Sequence, residues 1–191
     1  MTIAIDIDSV LVDTEKYIKE KGVGYFGKEP VNQSGFNVSD IFAVSKSDEQ
    51  AFWDVYYHDY ITNGPIYEGA ADATKSLHDL GHQILLVSAR YYRPDKGFAT
   101  EKEYQDVMRA HLQKNGIYFD EIYSEPRPKV PAVSKYKIDV FIEDDPVNVI
   151  ALSEHTHVLI KDTSYNKDIL LPNTTRFSSW NDVVDLIQKN N

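Results

Sequence analysis

The sequence predicts an α/β protein with a doubly wound parallel sheet and a small helical cap inserted after the first strand. Three observations predict it. Short apolar, β-branched runs alternate with amphipathic stretches, glycine and proline punctuate the changes, and acids or hydroxyls follow the apolar runs directly. In a doubly wound sheet ligands bind beyond the carboxyl ends of the strands, so the residues just after those runs are the first candidates for chemistry.

The run Ile3 to Ile7 reads as a buried strand delivering Asp6 and Asp8 at its C-terminal tip. From Thr14 to about Gly64 charged and aromatic residues recur at helical spacing, among them Phe52, Trp53, Tyr56, Tyr57 and Tyr60, interrupted by Gly27, Pro30 and Gly35. This predicts a helical cap over 15–64, with 1–14 and 65–191 forming the α/β core. Strand and helix signals then alternate. A helix over Ala70 to Leu80 is stopped by Gly81, Gln83 to Ser88 is a buried strand, and Glu101 to Asn115 is a helix closed by Gly116. Glu121 to Tyr123 is a short strand, and Ser124 to Lys137 reads as a loop. Asp139 to Ile142 is a strand ending in acids, followed by a helix from Val147 to about Ser153. His157 to Ile160, a short piece near Thr175, and a terminal helix from Ser179 to Gln188 with Ser179 as cap complete the pattern.

A chain of 191 residues with 42% hydrophobic residues can bury one good core and an insertion, whereas two full domains are not expected. Twenty basic against thirty acidic residues give a net charge of -10, which repels nucleic-acid polymers and acidic membrane surfaces. Any anionic ligand must therefore be held by local positive groups. The absence of cysteine excludes disulfides, thiolate zinc sites and a cysteine nucleophile. No stretch has the make-up of a signal peptide or a membrane span, so a cytoplasmic location is expected, and the sequence is compatible with a homodimer.

Asp6 and Asp8 lie one residue apart where a strand ends, and two carboxylates so close repel unless a cation neutralises them. Magnesium, which takes oxygen ligands, is the natural partner. Taken alone, acids after a strand are as often solvated or capping. A second acidic run, Glu143-Asp144-Asp145, follows the apolar Val140-Phe141-Ile142, and parallel strands bring such tips to one edge. Between them, Ser88-Ala89-Arg90 places a hydroxyl, backbone N–H groups and a guanidinium at the same edge, the outline of a phosphate cradle. The plainer reading of that tripeptide is a cap and an ion pair. Lys129, Lys135 and Lys137 are candidates for a balancing ammonium. The six histidines show no metal-ligand spacing.

In this order, Asp6-Ile7-Asp8-Ser9-Val10, Ser88, a lysine, and Glu143-Asp144-Asp145-Pro146 resemble the haloacid dehalogenase superfamily of aspartyl-phosphate hydrolases. Val87-Ser88-Ala89-Arg90, Lys129, the run from Ile138 to Pro146, and Tyr165-Asn166 resemble its 5'(3')-deoxyribonucleotidase branch and that branch's bacterial relatives. The resemblance implies a HAD-like Rossmannoid core and a phosphomonoester hydrolase acting on a small phosphorylated metabolite, a nucleotide first of all. It implies Asp6 as nucleophile and Asp8 as general acid/base. It further implies that magnesium is held by the Asp6 carboxylate, the Asp8 backbone carbonyl and Asp144. Ser88, Ala89, Arg90 and Lys129 face the phosphoryl group, with Lys135 as the alternative lysine. Ser9 stands where the superfamily usually has glycine. Two other readings accompany this one: a phosphatase of sugar phosphates or other small metabolites, and a phosphate-binding regulatory protein without turnover.

Overall fold

The computed structural model describes residues 1–189, so Asn190 and Asn191 of the expected core lie outside the described residues. In chain order the elements are β1 (Thr2–Ile5), α1 (Thr14–Phe26), α2 (Val38–Phe42), α3 (Lys46–Asn63), α4 (Ala70–Asp79), β2 (Gln83–Ser88) and α5 (Glu101–Lys114). They continue with β3 (Glu121–Ser124), α6 (Val130–Tyr136), β4 (Val140–Glu143), α7 (Pro146–Leu152), β5 (His157–Lys161), β6 (Thr174–Phe177), a 3-10 turn (Trp180–Asp182) and α8 (Val183–Lys189). Six strands form one sheet in the order β3-β2-β1-β4-β5-β6, and every pairing is parallel. The doubly wound α/β class expected from the sequence is the observed one.

The strands are apolar on both faces because helices cover both faces. Ile3, Ile5, Ile84, Leu86, Val140, Ile142 and Leu159 point into one core, and Ala4, Leu85, Val87, Phe141, Val158 and Ile160 into the other. From β1 the chain builds outward through β2 to β3, then crosses back to lay β4 on the other side of β1, and this switch point opens a crevice at the carboxyl ends of β1 and its two neighbours. Ile5 pairs with Leu86 on one side and Ile142 on the other, and the Asp6 N–H donates to the Ile142 carbonyl at 3.0 Å. The residues after all three strands therefore stand level.

Helices α1, α2 and α3 pack around their own apolar cluster of Ile18, Val38, Ile41, Phe42 and Phe52. The two stretches of chain leading to and from them run side by side. The Asp13 N–H donates to the Pro65 carbonyl at 2.7 Å, and the Tyr67 N–H to the Leu11 carbonyl at 2.9 Å. Among the described residues no helix is long and apolar enough to cross a membrane.

Two sequence expectations need correction. The strand expected to reach Ile7 ends at Ile5, because the Ile7 carbonyl already accepts the Leu11 and Val12 N–H groups at 3.0 and 2.9 Å, and the chain has turned. The expected loop from Ser124 to Lys137 contains α6. Pro131 reads as a breaker in sequence, yet in the first turn of a helix its missing N–H is one that would lack a partner anyway.

Candidate active site

The tips of β1 and β4 bring Asp6, Glu143 and Asp144 together, one carboxylate oxygen from each lying within 4.8 Å of the others. All three are buried. Lys129, at the N-terminus of α6, sends its ammonium into the cluster, 2.7 Å from Asp6 Oδ1 and 2.8 Å from Glu143 Oε2. Its backbone is held by Asn148 Oδ1 at 3.3 Å, and the same amide reaches Glu143 Oε2 at 3.3 Å. Glu143 Oε1 accepts the N–H groups of Asp144 and Asp145, both at 3.1 Å, which turns the chain so that Asp144 faces the crevice. Lys135 is elsewhere: it pairs with Glu125 at 2.7 Å, with most of its side chain in solvent. Lys137 caps the C-terminus of α6.

Three carboxylates thus face one ammonium. Burial, opposed by Lys129 and reinforced by Glu143 and Asp8, pushes the Asp6 carboxyl up to about 7. Burial, Glu143 and Asp6 likewise hold Asp144 well above the ordinary carboxylate range, while Asp6 and Glu143 keep Lys129 protonated despite its own burial. An excess of buried negative charge made only of oxygen donors fits a hard divalent cation, which relieves the repulsion that raises these values.

The Asp8 side chain turns the other way. Arg90 Nε lies 3.0 Å from both of its oxygens and Nη2 lies 2.7 Å from Oδ1, and the Tyr60 hydroxyl donates to Oδ1. Tyr60 in turn shares a hydrogen bond of 2.6 Å with Thr14 and carries the Arg90 guanidinium over its ring at 4.9 Å. Burial alone raises the Asp8 pKa, but the charge and hydrogen bonds of Arg90 outweigh it and hold the group below its ordinary value. Arg90, read from the sequence as part of a phosphate cradle, is thus engaged with Asp8. Ser88 is buried, its Oγ accepting the Arg90 N–H at 3.2 Å, and Ala89 stands exposed at the crevice.

Asp145, third of the acidic run, serves elsewhere. It caps α7 through the Val147 N–H at 2.9 Å and pairs with Arg127 at 2.6 Å. Ser9 adopts φ 58°, the left-handed conformation that glycine takes easily, with its N–H donating to Thr14 Oγ1 at 2.9 Å. The tight turn after Asp8 is therefore formed with serine in place. Above these groups lies a cleft of about 230 Å³ bounded by Asp6, Lys129, Asp144, Phe36, Asn37 and Trp53.

No family model matches the chain. Among relatives, a nucleotidase of Clostridium acetobutylicum is 24% identical over 193 residues, covering 99% of this chain and 94% of that protein. Among solved structures, a HAD-family hydrolase of Deinococcus radiodurans with bound phosphate and sodium gives a TM-score of 0.65 at 17% identity, covering 98% of this chain and 95% of that one. D,D-heptose 1,7-bisphosphate phosphatase of B. bronchiseptica, complexed with magnesium and phosphate, gives 0.57 at 15% identity, covering 100% and 99%. The fold is that of the haloacid dehalogenase superfamily.

Within this haloacid dehalogenase fold, the structure brings Asp6, Asp144 and Lys129 to one point, with Ser88 and Ala89 at the neighbouring strand end, and sets the Asp8 carboxylate beside them against Arg90. Sequence reasoning gives no role to Tyr60, Asn148 or Tyr165. The spacing of Tyr60 and its aromatic neighbours assigns them to helix packing, and its helical phase on α3 does place it inward, but spacing carries no sign that its hydroxyl ends on Asp8. Asn148 lies in the first turn of α7, where a buried amide is a signal that only contacts can interpret.

The raised acids carry a prediction. A folded-state pKa above the unfolded value contributes stability that is present below the ordinary carboxylate value and is lost as pH rises through the folded one. For Asp6 that window runs from the ordinary value of 3.8 to about 7. The cation-free protein is expected to lose thermal stability between about pH 4 and pH 7, and magnesium to raise the melting temperature more at the higher pH. Melting curves at several pH values, with magnesium or with chelator, check this; a magnesium effect independent of pH counts against a cation among these carboxylates.

Proposed function

We propose that this chain is a magnesium-dependent phosphomonoester hydrolase acting on nucleoside monophosphates through an aspartyl-phosphate, with residues 15–64 as the cap that selects the substrate. The observation that carries the reading is the buried trio Asp6, Glu143 and Asp144 around the Lys129 ammonium at the switch point of the sheet. The superfamily fold and the similarity to a nucleotidase support it.

Asp6 and Asp144, with the Asp8 backbone carbonyl, would hold the magnesium ion. When bound, the ion offsets the negative charge between Asp6 and an anionic phosphate. Lys129 and Ser88 bind further phosphoryl oxygens. An Asp6 carboxylate oxygen attacks phosphorus, the bond from phosphorus to the ester oxygen breaks, and Asp8 gives its proton to the departing alkoxide. Water then attacks phosphorus, Asp8 takes the proton, and the Asp6–phosphorus bond breaks to release inorganic phosphate. Arg90 favours the ionised form of Asp8, the form needed as base in the second step. Donation in the first step requires that pair to loosen when substrate enters.

Trp53 and Phe36 at the cleft supply ring faces on which a base stacks, which favours a nucleotide over a sugar phosphate. Phosphate release measured across nucleoside monophosphates and sugar phosphates is expected to show the nucleotides preferred. Trp53→Ala is expected to raise KM for nucleotides about tenfold, the worth of one base–aromatic stack, and to leave sugar phosphates unaffected. Equal turnover of both classes would favour the sugar-phosphate reading. No turnover of either would leave a phosphate-binding role, whose sequence support, Ser9, is weakened by the normal turn Ser9 forms.

A further inference from the structure

The Tyr165 hydroxyl donates to Asp144 Oδ2. Tyr165 belongs to the segment between β5 and β6, and that segment is fastened on three sides. Asn166, almost fully buried, donates through Nδ2 to the Asp144 carbonyl at 2.8 Å and to the Lys161 carbonyl at 2.9 Å. Arg176 on β6 grips Asn166 Oδ1 at 2.8 Å and its carbonyl at 2.9 Å, and the Thr163 N–H reaches Asn166 Oδ1 at 3.2 Å. Side chain and backbone of Asp144 are thus held by adjacent residues of one braced turn.

The Tyr165 ring also meets the cap. Phe36, in the segment between α1 and α2, meets it edge-to-face with centroids 4.8 Å apart and planes at 89°. Phe36 is 42% exposed and lies where no helix fixes the backbone. One side chain therefore touches both a carboxylate of the acidic trio and the cap segment that carries Phe36. A donor that holds one carboxylate oxygen leaves the other aimed at a cation, and such outer partners affect affinity strongly.

We infer that Tyr165 is a positioning residue that couples cation binding at Asp144 to seating of the cap segment around Phe36. The inference rests on the proposal above that Asp144 helps to hold the cation. It goes beyond that proposal in assigning a residue outside the acidic trio and in linking the metal to the cap. Coupling of this kind is reciprocal: ordering Asp144 for the ion orders the ring that Phe36 packs on, and seating Phe36 restrains the hydroxyl on Asp144.

The test uses the full chain and magnesium alone, so no turnover is needed. In Tyr165→Phe the ring stays and the hydroxyl goes; the magnesium Kd by calorimetry is expected to rise about tenfold or more, with the cation-free melting temperature nearly unchanged. Magnesium is expected to slow protease cleavage between residues 27 and 37 in the wild type but not in Tyr165→Phe. Phe36→Ala, at an exposed position where folding is not at stake, is expected to abolish that protection. A Tyr165→Phe Kd within twofold of wild type, a lowered cation-free melting temperature with unchanged Kd, or protection that persists in Phe36→Ala would overturn the inference. Failure of the phosphatase reading looks different: wild type binds magnesium, Asp144→Asn does not, and no ester is hydrolysed.

Discussion

Asp6→Asn is expected to lower phosphate release by about 10⁴-fold or more, because in the proposed mechanism the Asp6 carboxylate is the group that takes up phosphorus. The same substitution should not unfold the protein. Asp6 is one of three buried carboxylates opposite a single ammonium, and its own value is pushed up to about 7 by burial first and by the neighbouring Glu143 and Asp8 charges after it. Removing its charge relieves repulsion while the amide keeps an oxygen facing Lys129. The cation-free variant is therefore expected to melt at or above the wild-type temperature, and to gain less from magnesium. Phosphate release and melting curves on the same preparations check both halves. Retention of near-normal rates would remove Asp6 as nucleophile, and a large loss of stability would show that its charge supports the fold.

Lys129→Met is expected to act on stability first. The ammonium is about 1% exposed and bridges Asp6 and Glu143, so its loss strands buried carboxylates without a counter-charge, at a cost of roughly 3–5 kcal/mol. In a chain of this length that is a fall of roughly 10–15 °C in melting temperature. Magnesium should recover part of it, since a cation among the same oxygens replaces some of the missing positive charge. Lys135→Met is the control. Its pair with Glu125 is 2.7 Å long, but its side chain is 59% exposed, and water and salt screen such pairs so that they add little to stability. Denaturant unfolding of the two variants side by side distinguishes a lysine built into the site from one on the surface. Equal losses in both would contradict the placement of Lys129.

The parts of this molecule readable in one dimension are those set by local pattern. Apolar runs at Ile3 to Ile5, Gln83 to Ser88 and Val140 to Glu143 can be strands because alternate side chains enter two different cores. The acids after them must then stand at one edge, since parallel pairing levels the tips. Helix α6 is hidden because Pro131 breaks a helix everywhere except its first turn, and a residue string does not state where a turn begins.

The parallel α/β class and the acidic strand tips were thus determined by sequence alone, through periodicity and the alternation of strand and helix. Only the tertiary structure decided which lysine enters the site, that Arg90 turns to Asp8, and that Tyr60 and Tyr165 end on two different aspartates. The physical reason is range. Hydrophobic periodicity acts between residues a few positions apart, whereas each of these polar contacts joins elements 14 to 123 residues distant, whose meeting depends on how whole helices dock.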